Sequence, residues 1–100
     1  METIKVKAHS ETESIDLKKA DELDIEKILP DNQPRITSYI TFTSKEGNQK
    51  TDELKGKSYP NLIDYENYKI NNNNHYEIEV QYETLNPSIY DNIFHSSNLE

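Results

Sequence analysis

An α+β fold, a small antiparallel sheet of four to six strands with two short helices, is predicted by three observations in this sequence. Tyr76, Ile78, Val80 and Tyr82 alternate with Glu77, Glu79, Gln81 and Glu83, the period of a strand with one buried face. Asp21 and Asp24 precede Ile25, Ile28 and Leu29, and Pro30 follows, which reads as a short capped helix over Glu22 to Leu29. Asn86-Pro87 opens a second helix in which Ile89 pairs with Ile93, and Tyr90 with Phe94, at i and i+4.

The remaining elements follow in chain order. Ile4, Val6 and Ala8 alternate with Thr3, Lys5, Lys7 and His9, and Ile15 and Leu17 repeat the pattern after a polar link, so an N-terminal hairpin is expected. Past the connector Asp31 to Pro34, the stretch Arg35 to Ser44 is rich in Thr, Ile, Tyr and Phe, which suits a strand with Ile36, Ile40 and Phe42 facing the core. Lys45 to Asn48 reads as a turn. Gln49 to Lys57 has only Leu54 to bury and reads as an edge strand or a loop. Tyr59 to Ile63 is a short apolar piece, and Tyr65 to Ile70 reads as a strand. The four asparagines at 71–74 tolerate left-handed backbone and are expected to turn that strand into the one at Tyr76 to Glu83, making a single hairpin.

With 100 residues, a single domain over 1–100 is expected. Leu, Ile, Val and Phe number 22, a lean core, so marginal stability, or stability borrowed from a partner or a second copy, is expected. The final Leu99-Glu100 reads as a cloning scar. Absence of cysteine removes disulfides and thiolate metal sites. No basic leader, apolar h-region or membrane-length apolar run is visible, so a cytoplasmic protein is expected.

The net charge of −8 is unevenly placed: residues 1–58 hold 12 acids and 10 bases, and residues 59–100 hold 7 acids and Lys69 alone. Such a field repels nucleic acid and anionic membrane and favours basic proteins. Within the acidic half, Glu77, Glu79 and Glu83 form a row on one strand face, with Asp64 and Glu66 expected on the partner strand. Alternate residues on a strand lie about 6.7 Å apart, near the phosphate spacing of an extended nucleic acid, so the row imitates a phosphate backbone. Tyr65 and Tyr68 beside it would add stiff aromatic contact area. The plainer reading is a solvated sheet face with tyrosines filling the core.

Chemistry beyond binding finds no support. His9, His75 and His95 show no metal-ligand spacing, and neither a nucleophile elbow nor a phosphate-cradling glycine loop occurs, so no enzyme, cofactor or metal is expected. The short, acidic, asparagine- and tyrosine-rich, cysteine-free composition resembles that of accessory proteins of phages and mobile elements. The leading expectation is an inhibitor occupying the basic groove of a nucleic-acid-handling protein such as a nuclease, in the host cell cytoplasm. An assembly module, such as a virion subunit acting through strand pairing or homo-oligomerisation, is the alternative, and an acidic antitoxin is a third.

Overall fold

Alternating short apolar residues build strands throughout, and the computed structural model, which describes residues 1–86, contains no helix among them. The strands are β1 (Glu2–Val6), β2 (Ser10–Glu11), β3 (Ile15–Asp16), β4 (Glu22–Leu29), β5 (Tyr39–Ser44), β6 (Gln49–Glu53), β7 (Ser58–Tyr59), β8 (Tyr65–Asn72) and β9 (Ile78–Leu85). One sheet has the order β1-β9-β4-β7 and the other β2-β8-β5-β6, with β3 also on β8. All pairings are antiparallel. The protein is therefore all-β rather than α+β. The helix expected from Asn86-Pro87 onward lies outside the described residues. Among the described residues no helix is long and apolar enough to cross a membrane.

The other expected helix, Glu22 to Leu29, is strand β4, and a β-bulge explains the disagreement. Leu23 and Ile25 point inward two residues apart; Glu26 is then inserted between Ile25, opposite Tyr82, and Lys27, opposite Gln81. Ile28 returns to the core three residues after Ile25. One inserted residue thus converts a period of two into the spacing of a helical turn.

Two expected hairpins are also replaced by crossings between sheets. β1 pairs with β9, placing Ile4 opposite Val80 and Val6 opposite Ile78, whereas β2 and β3 pair with β8. The chain therefore changes sheets between Val6 and Ser10. It crosses again between β8 and β9, which do not pair with each other, through the asparagine run. Asn71 and Asn72 extend β8, and Asn72 and Asn74 are buried to 0% and 1% exposure rather than displayed on a loop.

The inner faces meet in one apolar cluster. Val6, Leu23, Ile25, Ile28, Tyr59, Ile78, Val80 and Tyr82 come from the first sheet, and Ile40, Phe42, Tyr68 and Ile70 from the second. Leu17, Leu54 and Leu62 seal it from the connections. Phe42 lies at the aromatic centre, with ring centroids of Tyr59, Tyr65 and Tyr68 at 5.8, 6.0 and 6.3 Å. Ile40 and Phe42 face inward as expected, but Ile36 is exposed. The Lys45 to Asn48 turn is present, with Gly47 at φ +90° and its N–H donating to the Ser44 carbonyl. β6 is an edge strand. It is tied to β7 by the Tyr59 hydroxyl, which donates to the Glu53 carbonyl and accepts from the Lys55 N–H.

Candidate binding surface

Because Val80 and Tyr82 face inward on β9, Glu79, Gln81 and Glu83 face outward, and the pairing register fixes their neighbours. Glu79 stands opposite Lys5 of β1 and Leu29 of β4. Gln81 stands opposite Thr3 and Lys27. Lysine thus flanks the middle of the acidic row, and the Gln81 amide donates to Glu79 at 3.1 Å. Glu77 is exposed and precedes the strand.

At the other end the balance changes. Glu83 lies opposite Asp24, and Glu22 sits two residues from Asp24 on the same face of β4. Hydrogen bonding to Asp24, then partial burial, then the charges of Asp24 and Asp21 push the Glu22 carboxyl above the usual carboxylate range. Asp24 Oδ1 is withdrawn from solvent and has no hydrogen-bond partner among the described residues. The N-terminal amine lies 3.9 Å from the Glu83 carboxylate at the exposed margin of this group. Sequence reasoning missed Glu22 and Asp24 because it placed them in a helix start. The signal that would have found them is the inward triplet Leu23, Ile25 and Ile28 read with a bulge.

Asp64, Tyr65, Glu66 and Tyr68 do not join this surface, since β8 belongs to the second sheet. The expected juxtaposition of Asp64 and Glu66 with Glu77, Glu79 and Glu83 is therefore corrected. Asp64, Tyr65 and Glu66 instead line an open cleft of about 1300 Å³ together with Asp16, Lys18 and Lys19. Acids and lysines are interspersed there, so its charge is close to balanced. The backbone of Lys18 and Lys19 is left-handed, φ 52° and 62°, in a turn closed by the Ala20 N–H to the Leu17 carbonyl at 3.0 Å. Tyr68 is 1% exposed and fills the core, so it offers no contact area to a partner. Burial, with the Tyr82 hydroxyl and Glu2 carboxylate nearby, pushes its phenol far above the usual range.

The histidines are less scattered than their numbering implies: the His9 and His75 rings are in direct hydrogen-bonding contact. Among the described residues no group of three His, Cys, Asp or Glu is placed to hold a metal ion. In comparisons with known proteins, no family model, no curated protein and no solved structure matches this chain.

Proposed function

We propose that the protein is an acidic binding protein that docks a basic partner on the outer face of the β1-β9-β4-β7 sheet, with Glu22, Asp24 and Glu83 as its charged contact. The observation that supports this reading most is the half-buried Asp24 carboxylate, gathered with two other acids and with its Oδ1 left without a hydrogen-bond partner among the described residues. Like charges held together, with one oxygen desolvated and unpaired, oppose folding. An arginine or lysine from a partner would supply the missing donor and relieve the repulsion. A basic groove of a nucleic-acid-handling protein, such as a nuclease, presents such cations, and inhibition by occupying that groove follows. The lysines beside Glu79 and Gln81 flank the middle of the acidic row and would orient the docked partner.

The test is affinity for a basic protein captured from the source cell, measured for wild type and for the combined E22Q, D24N and E83Q variant. A loss of at least about tenfold is expected, together with weakening of wild-type binding as salt rises. Unchanged affinity in the folded triple variant would sink the proposal. E77Q and E79Q together should have the smaller effect, because Lys5 already faces Glu79.

A second reading, assembly through strand pairing, is favoured by β1. It is the last strand of its sheet, and its outer edge has no partner among the described residues. Light scattering separates the two readings: a salt-insensitive, concentration-dependent oligomer that a proline at Thr3 or Lys5 disrupts would favour assembly.

A further inference from the structure

His9 and His75 are 66 residues apart in the chain and meet where the β1–β2 and β8–β9 crossings between the sheets come together. His9 ends the link from β1, in left-handed backbone at φ 51°, and its N–H donates to the Asn74 carbonyl at 3.1 Å. His75 follows the asparagine run that leads into β9. The same buried side chain fixes both loops: the Asn72 amide donates to the carbonyls of Val6 at 3.0 Å, Lys7 at 3.1 Å and Tyr76 at 2.9 Å. The backbone under both imidazoles is thus pre-set, while the rings themselves are exposed.

His9 Nε2 and His75 Nδ1 are 2.8 Å apart, with the rings edge to face and their centroids 4.8 Å apart. In the neutral pair one nitrogen carries the hydrogen and the other supplies the lone pair. Two imidazole nitrogens bound to one metal at about 2.0–2.1 Å lie about 2.9 Å apart when they are cis at a right angle, and about 3.3 Å apart at a tetrahedral angle. The observed 2.8 Å is a hydrogen-bond separation just below both values, so the two nitrogens lie close enough to share one ion once the rings turn and open slightly.

We propose that His9 and His75 form a two-imidazole chelate for a divalent transition-metal ion of the Cu²⁺ and Ni²⁺ class, with water completing the coordination. Occupying it needs the hydrogen of the contact to move to the other nitrogen of its ring and both rings to turn so that their lone pairs converge. No net proton is released, and the backbone stays in place. A bound ion would join the β1–β2 crossing to the β8–β9 crossing and stabilise the folded chain by mass action. This site is independent of the acidic surface.

Calorimetry and thermal unfolding of the untagged full chain with NiCl2, and Cu²⁺ electron paramagnetic resonance, test the assignment. One ion per chain is expected, with a raised midpoint that chelator reverses and hyperfine coupling to two nitrogens. H9Q and H75Q should each weaken binding at least about tenfold, and H95Q should not. By the Irving–Williams order Cu²⁺ should bind more tightly than Ni²⁺. Absence of binding to the wild type, or binding that survives H9Q and H75Q together or depends on His95 instead, overturns it. Should H9Q unfold, H75Q and the nitrogen coupling of the wild type decide the matter.

Discussion

Asn72 Oδ1 accepts two hydrogen bonds from Asn74, one from its backbone N–H at 2.9 Å and one from its side-chain amide at 3.0 Å. Asn74 in turn binds the connector before β5, accepting from the Ile36 N–H at 2.6 Å through Oδ1. Two buried amides therefore satisfy the backbone of three segments that would otherwise bring unpaired polar groups into the interior.

Replacing Asn72 with alanine should consequently destabilise the protein by about 2–4 kcal/mol, since the buried carbonyl of Val6 and the part-buried carbonyl of Lys7 lose their donor. Urea unfolding measures this as a lower midpoint at unchanged slope. Changing Asn71, which is less buried and lies on the other face of β8, should cost under about 1 kcal/mol.

Deleting Glu26 should be tolerated, because removal of the bulge residue leaves Leu23, Ile25 and Ile28 alternating inward in an unbroken strand. Deleting Asp24 should unfold the chain, since it moves Leu23 to the outer face or displaces everything after it. Far-ultraviolet circular dichroism with a melting curve distinguishes the two.

Stability should fall in alkali through the buried phenols. Burial raises the Tyr59, Tyr68 and Tyr82 values, so the folded state holds their protons more tightly than the unfolded chain. Their contribution is complete below the ordinary tyrosine value near 10 and is lost as pH rises beyond it, by up to about 1.4 kcal/mol per unit for each phenol. Denaturant midpoints between pH 9 and 11.5, on the order of the tyrosine range, should decline less steeply in Y68F than in wild type.

Glu22 should follow the same linkage at lower pH. Its raised value means that the protonated form suits the fold, so its contribution is present in acid and lost as pH rises through the folded value. E22Q should therefore be more stable than wild type at pH 7, by under about 1 kcal/mol given solvent screening, and the gain should shrink in acid. An E22Q protein less stable at neutrality would contradict the repulsion described here.

Alternation carried much of the fold: the strands expected over Arg35–Ser44, Tyr65–Ile70 and Tyr76–Glu83 overlap the observed strands at 39–44, 65–72 and 78–85. Pairing did not follow, because alternation states which face is buried and not which strand lies beside it. The asparagine run misled for a related reason. A side-chain amide suits a solvated turn, yet it also satisfies buried backbone when it can reach it. Of the acidic surface, Glu83 was legible from its own strand. Asp24 and Glu22 were hidden by the bulge, and Tyr68 became core once its strand was fixed between β5 and β3.

The placement of β9 between β1 and β4 has a temporal consequence. During synthesis β5, β6 and β8 emerge in sequence and can pair as they appear, whereas β1, made first, waits for a partner that begins at Ile78. Its sheet can close only after β9 has been made, and a chain stalled before that point carries two strands prepared for an absent neighbour.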